Sequence, residues 1–378
     1  MIAVAGLRLD TVRVPLRRPF VTAVRTAHTV DALIVRAIAD DGTEGWGEAA
    51  TSWRVTGESA SSVSAAVLGP LSEAVIGKPV EDPSAAIERI RAAVVGNASA
   101  RAAVECAVYD LAARSQGVSL TRYLGGAGTP VRTDMTLSAV LDDHDIDDMV
   151  VTAVEHVAAG IGTLKLKVGR GGDDLRALIA IRDVVGDAIR LRIDANQAWS
   201  VDDASAAIRS FEDAGVGLEL VEQPVHRDDL AGLCRVAAQV GTPIMADESV
   251  WDVRQLRELI AIGGAGVERI LVNIKLAKTG GLTEALAVGR LASEYGMRMS
   301  VGCMSESHVG IAGAAALASA LQGLGMDVHA PHDLDAGLWL QDSPVIGGVE
   351  YHGAEVRFAV ASGSGIVGLR EPRGHADA

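Results

Sequence analysis

Three acidic residues recur at similar intervals in the second half of the chain: Asp194 in Arg192-Ile-Asp-Ala-Asn196, Glu222 in Val221-Glu-Gln-Pro224 and Asp247 in Ala246-Asp-Glu-Ser249. Each closes a short apolar run. Three carboxylates that converge repel one another strongly unless a cation sits between them. All-oxygen donors select a hard ion such as Mg2+. Upstream, Leu164-Lys-Leu-Lys-Val168 puts Lys165 and Lys167 two residues apart on a strand, so both point to one face. Two such ammonium groups lower each other's pKa, which makes one of them a usable base near neutral pH. Downstream, Asn273-Ile-Lys-Leu276 ends another run on Lys275, whereas Lys278 lies beyond the strand end and reads as a loop charge. This set dictates a chemistry. A carboxylate held on Mg2+ has its α-proton acidified, because the metal stabilises the enediolate that forms. One lysine removes the proton and the other returns one from the opposite face. A leaving group at the β-carbon would divert the same intermediate to elimination.

The elements that must position these residues follow a rhythm. Apolar segments end near Ala139, Lys167, Asp194, Glu222, Asp247, Lys275 and Cys303, in steps of 28, 27, 28, 25, 28 and 28 residues. Each gap holds an Ala/Leu-rich helical pattern, as in Asp202 to Ala214 or Leu282 to Glu294. A strand–helix unit of that length, repeated about seven times, predicts a (β/α) barrel, whose active site lies at the C-terminal ends of its strands. In a closed eight-fold ring Lys167 on strand two faces Lys275 on strand six, with the three carboxylates on the strands between. The Ala/Gly-rich run Val309 to Leu321 reads as a buried helix of the barrel wall, too short to span a bilayer.

Before the barrel, Leu7 to Val14, Ala32 to Ala39 and Glu44 to Glu48 alternate as strands do, with Asp40-Asp41-Gly42 as a hairpin turn. Helical patterns follow at Ala60 to Val75, Ser84 to Val95 and Ala98 to Gln116, with Gly117 as the last stop. This is an α+β domain of residues 1–125, followed by a Gly125-to-Pro130 linker and a barrel over 126–340. Val345 to Tyr351 and Glu355 to Val360 read as strands that return to the first domain, so that 341–378 completes it.

Composition narrows the function classes. The net charge of −15 and the lack of a Lys/Arg run exclude a nucleic-acid binder of the ordinary kind. Aromatics make up only 3%, so the core must be Ala, Val, Leu and Ile, as suits buried parallel strands. Three scattered cysteines, Cys106, Cys234 and Cys303, form no CxxC, which points to reduced thiols and a cytoplasmic setting. The first ten residues lack the pattern of a signal peptide, and no membrane partner is expected.

The Lys-x-Lys, Asp, Glu, Asp, Lys series resembles that of the enolase superfamily, muconate-lactonizing subgroup, over nearly the whole chain. A lysine base and a magnesium-stabilised enediolate are that superfamily's known chemistry. The resemblance implies a modified (β/α)7β TIM barrel with an α+β capping domain, and a homo-oligomer. Three segments resemble the dipeptide epimerases within the subgroup: Asn273 to Gly281, Gly302 to Ser307, and His332-Asp-Leu-Asp335. There an Asp-x-Asp grips the substrate's α-ammonium group, which would fall to Asp333 and Asp335. Two carboxylates on one strand face suit that cation.

The resemblance further implies that capping-domain loops set specificity. Phe20 and Arg25 lie in one such loop, and Thr51 to Glu58, with Trp53, resembles another. Arg25 is similar to an arginine that meets the acidic side chain in Ala-Glu epimerases, whereas Trp53 fits a bulkier or apolar residue. Thr136 and Cys303 would line the substrate. Asn196 and Glu248 would orient the metal ligands or Lys275. The expected activity is Mg2+-dependent epimerization of a dipeptide at its C-terminal residue, with a cycloisomerase or dehydratase as the alternative within the superfamily.

Overall fold

The computed structural model describes residues 2–21, 26–139, 143–359 and 361–371. It opens with an antiparallel sheet of Val4–Val21, Thr26–Ala39 and Glu44–Ala49. The first strand is far longer than its alternating stretch, because its polar half pairs with Thr26–Ala39 as far as Val21↔Thr26. The helix Ala98–Ser115 lies directly on the third strand. A Cβ at Gly45 would stand 2.1 Å from the carbonyl oxygen of Ala107, and one at Gly47 2.0 Å from that of Ala103. Only glycine allows this approach.

The helix expected over Ala60 to Val75 is broken. Ala60–Ala66 runs through a wider turn into Ser72–Val75, and Gly69 leaves helical geometry at φ −104°, ψ −110°. Pro70 supplies the reason: it lacks an N–H, and its ring disfavours the helical conformation at the residue before it.

Seven parallel strands then curl side by side: Met135–Leu137, Thr163–Lys167, Arg190–Asp194, Leu218–Glu222, Ile244–Ala246, Ile270–Lys275 and Met299–Gly302. The first strand stops at Leu137, two residues short of the expected Ala139. The ring closes through a short eighth segment. His332 bridges to Thr133 beside the first strand, and Asp333 bridges to Gly302 at the end of the seventh. The architecture is therefore α/β, a barrel of the expected type behind a small antiparallel sheet.

Helix His308–Gly323 is buried along nearly its whole length, as its composition predicts. The late strands do not join the first sheet. Val349–His352 pairs with Glu355–Phe358, which pairs with Val131–Arg132 at the barrel's entrance. Val345–Gly347 pairs with Ile366–Leu369 instead, so the expected single strand Val345 to Tyr351 is split, with Gly347 and Gly348 at positive φ. No helix among the described residues is long and apolar enough to cross a membrane.

Candidate active site

Strand register brings the charged residues to one rim. Lys167 pairs with Asp194, and Asp194 with Glu222, across three adjacent strands. Asp247 follows the fifth strand by one residue, and Lys275 ends the sixth. Leu164 and Leu166 point outward into the helix layer and are buried there, while Lys165 and Lys167 face inward.

The turns after the third and fourth strands are strained. Asn196, Gln197 and Gln223 have φ of 43°, 69° and 37°. Left-handed backbone at non-glycine residues costs roughly 1–3 kcal/mol each and persists where the surroundings fix it. Gln223 shows how. Its side-chain oxygen accepts from the amides of Asp247 (2.9 Å) and Ser249 (3.1 Å), and its nitrogen donates to Val225 O and Ser249 Oγ. One buried amide thus fixes where Asp247 begins.

Each carboxylate of the trio meets an ammonium group. Lys167 Nζ lies 2.5 Å from Asp194 Oδ2, Lys165 Nζ 3.3 Å from Glu222 Oε2, and Lys275 Nζ 2.8 Å from Asp247 Oδ2. Lys278 is not the loop charge its position implied. It is buried, and its Nζ donates to Asp247 Oδ1 (2.6 Å) and to the carbonyl of Asn273 (2.8 Å). A four-residue helix, Leu276–Thr279, turns it back into the barrel.

The expected lowering does not prevail at Lys165. Burial works to lower Lys165, but Asp333, Glu222, Asp134 and Asp194 outweigh it and hold its pKa well above the usual lysine value. Lys275 is raised likewise: burial opposes, and Asp247, Glu222 and Asp333 prevail. In this barrel carboxylates outnumber the ammonium groups. Asp247 is lowered for the same reason, with Lys275 and Lys278 overcoming burial.

The donor set fits a hard divalent ion. All three candidate ligands are buried carboxylates at neighbouring strand ends. Beside them Glu248 Oε2 is buried without a hydrogen-bond partner. Asn196 Nδ2 reaches both Asp194 Oδ2 (3.2 Å) and Glu248 Oε1 (3.4 Å), which ties these groups together. Burial, Asp247 and Asp194 push Glu248 up to about 7.

The cavity above holds about 110 Å3. Lys165, Lys167, Lys275, Asp247, Glu248 and Asn196 line one side, and Thr136, Asp333 and Asp335 the other. Asp194 and Glu222 lie beneath, bonded to the lysines. Contrary to the expectation from their spacing, Asp333 and Asp335 do not share a strand face. Asp333 is in the eighth segment, and Asp335 begins the helix Ala336–Trp339. Their carboxylates converge nonetheless, because Asp335 Oδ2 is drawn to Thr136 N (2.6 Å) and Trp339 Nε1 (3.1 Å). Cys303 lines the cavity with Met304 and Ser305. Burial, with Asp333 and Asp335, pushes its thiol well up, so it stays neutral.

The capping domain closes the top with Ser52, Arg54 and Val55. Trp53, between them, points away and is 75% exposed, which removes it as an apolar wall. Arg25 lies outside the described residues. Only the backbone of Phe20 is described, paired with Ala27.

The sequence reading missed Arg54, Gln223, Asp134 and the pair Glu48 and Glu306. Glu48 is the penultimate residue of the third strand of the first sheet. It crosses to the barrel, accepting from Ser307 N (2.8 Å), Ser307 Oγ (2.5 Å) and Gly310 N (2.9 Å), and so anchors the segment that carries Cys303 to Ser305. Nothing in the Gly-Trp-Gly-Glu spacing signals that contact. Asp134 falls two residues before Thr136, and that even spacing was the available signal.

The geometry has counterparts. Residues 5–125 match the model of the mandelate racemase / muconate lactonizing enzyme N-terminal domain, and residues 148–371 the enolase C-terminal domain-like model. The L-Ala-D/L-Glu epimerase of Bacillus subtilis is 41% identical over 368 residues, 96% of each chain. A substrate-liganded structure of that enzyme covers 98% of this chain and 100% of its own at a TM-score of 0.90. The Enterococcus faecalis dipeptide epimerase, complexed with Mg and L-Leu-L-Tyr, is 35% identical with a TM-score of 0.88, over 96% and 99% of the two chains.

Proposed function

Because the chain belongs to the mandelate racemase / muconate lactonizing enzyme family of the enolase superfamily, we propose that it is an isomerase that epimerizes a dipeptide at the α-carbon of its C-terminal residue. The observation that carries this reading is the pair Lys167 and Lys275, which line one cavity from the second and sixth strands, with Asp333 and Asp335 on the wall beside them.

Asp194, Glu222 and Asp247 would hold Mg2+, which when bound supplies positive charge to the substrate carboxylate and lowers the cost of losing its α-proton. Lys167 takes or returns that proton on one face, and Lys275 does so on the other. Epimerization in both directions requires one of the two to be neutral at the start of a turnover and the other protonated, and Mg2+ on the carboxylates that pair with them would favour the neutral form. Lys165, bonded to Glu222 and 2.6 Å from Asp333 Oδ2, holds the field around Lys167 and joins the two walls. Asp333 and Asp335 receive the N-terminal ammonium, which fixes a dipeptide's length between two charged ends. The relatives' substrates support this reading.

Proton NMR in D2O with Mg2+ tests it, using L-Ala-L-Glu, L-Ala-L-Leu and L-Leu-L-Tyr. Loss of the C-terminal residue's α-proton signal, with growth of diastereomer peaks, is expected for at least one. Folded, Mg2+-loaded protein that exchanges none of them would overturn the proposal.

A further inference from the structure

Opposite the lysine-paired trio stands a second group of carboxylates. Oxygens of Asp134, Asp333 and Asp335 lie within 4.8 Å of one another, and all three residues are buried. Asp134 precedes the first strand, and its amide donates to His332 O at 2.8 Å, so the ring closure itself brings it beneath the pair. Half of the six oxygens have partners close by. Asp333 Oδ2 meets Lys165 Nζ, Asp134 Oδ2 meets Arg192 Nη1 at 3.1 Å, and Asp335 Oδ2 takes the Thr136 and Trp339 donors. Of the other three, Asp134 Oδ1 and Asp335 Oδ1 are fully buried with no hydrogen-bond partner.

Charge sharpens the point. The two close cations at this wall are both shared, and Lys275 Nζ reaches Asp333 Oδ2 only at 3.9 Å. Arg192 Nε also binds Glu219 Oε2 at 2.5 Å, and Lys165 also binds Glu222. Three ionised carboxylates would leave surplus negative charge in a buried site, together with two orphaned acceptors. Like charges so placed retain a proton. A metal ion here would face Lys165 and Arg192 at close range, whereas a proton supplies the missing donor and removes one charge.

We propose that the buried pair Asp134 and Asp335 keeps one proton in the free enzyme, and that this proton leaves when the α-ammonium group of the substrate binds at Asp333 and Asp335. The inference rests on the dipeptide reading above. The exchange balances: one O–H bond breaks, its proton passes to the buffer, and one ammonium charge takes its place. Asp134 acts here as a positioning residue, through Asp335.

The surroundings agree. Burial and Asp333 push Asp335 up to about 6 against Lys165 and the Thr136 amide. Burial and Asp333 likewise raise Asp134 well above the carboxylate range, with Lys165 and Arg192 opposing. Asp333 goes down to about 2: burial opposes, and Lys165, Lys275 and Lys167 prevail. Next to them His332 is held neutral, pushed down to about 3 by burial and Arg192. Burial, Cys303 and Asp335 raise the Tyr351 hydroxyl, which stays protonated.

Calorimetry of the Mg2+-loaded enzyme at pH 6, in phosphate and in Tris-type buffers of unlike ionisation heat, counts the protons. The titrant is the dipeptide that the exchange assay selects, with its N-acetyl derivative as the form lacking the ammonium. We expect close to one proton released per chain for the dipeptide and none for the N-acetyl form. In D134N the neighbouring acid is gone and release should fall to near zero. Should D134N not fold, the parent enzyme still decides: its Kd should tighten about tenfold per pH unit below the pKa of the shared proton and level off above it. No buffer dependence between pH 5 and 8, release that persists in D134N, or a second metal equivalent lost in D134N would each overturn the proposal. Failure of the dipeptide reading looks different, because no dipeptide would then exchange at all.

Discussion

The two walls of the cavity are built from the same residue types and use them differently. On the wall of strands two to six, Asp194, Glu222 and Asp247 each face a lysine ammonium, and Glu222 and Asp247 face two. On the wall of strands one and eight, three aspartates share two close cations, with Lys275 at 3.9 Å from Asp333, and leave two oxygens without partners. The first wall is rich in counter-charge and suits the gathering of negative charge around a carboxylate. The second wall is short of it and suits a cationic group. A zwitterion with its charges at opposite ends fits that asymmetry, and a dicarboxylate such as muconate does not. Residue type is therefore a poor guide to role here; the local balance of donors and charges is the better one.

Three changes break or sharpen this contrast. Lys275→Ala strikes the cation-rich wall and should cost about 10^3-fold in epimerization, within the range for loss of a proton-transfer group. Lys167 would still wash the α-proton of one diastereomer into D2O, so exchange without inversion is the signature; inversion at the parent rate would sink the two-lysine scheme. Replacing Asp333 and Asp335 together by Asn strikes the other wall. Charge-assisted hydrogen bonds are worth roughly 1.5–3 kcal/mol, so KM should rise about 10^2-fold with a smaller change in kcat. A cycloisomerase or dehydratase would lose nothing by this double change, and steady-state kinetics separates the readings.

Glu306 provides a control that reads stability rather than catalysis. Burial and the neighbouring Glu48 push it up to about 8, from an unfolded value near 4.5. Its folded form binds a proton that the unfolded chain has released. Stability should therefore fall as pH rises from 4.5 to 8, by at most about 1.4 kcal/mol per unit. Glu306→Gln should flatten that slope in a series of melting curves. An unchanged slope would mean that Glu306 is ionised in the folded protein.

Legibility in the sequence followed the reach of the signal. The repeat of 25 to 28 residues shows the barrel, because each strand–helix unit is local. It also gives the rim positions of Lys167, Asp194, Glu222, Asp247 and Lys275, since strand ends are where the apolar runs stop. Lys278 was misread, because a one-turn helix after a strand has no periodicity to detect and turned the side chain inward. The break at Pro70 was present in the residue type, yet the surrounding helical pattern outweighed it. The electrostatics of Lys165 differ from the expectation for another reason: spacing shows two like charges, while the carboxylates that outweigh burial at Lys165 come from four other places in the chain.

By itself the sequence determined the barrel, the order of its charged strand ends and the all-oxygen donor set, since each is written in segments short enough to fold by their own period. Only the tertiary structure decided which charges neutralise which. It brought Asp134 from the first strand's approach, Arg192 from the third strand and Asp335 from the closing turn to one point. It also set Arg54 rather than Trp53 over the cavity and carried Glu48 from the first sheet to the barrel's seventh unit. Coulomb energy depends on distance through space, and residues some 200 positions apart along the chain acquire that distance only when the ring closes.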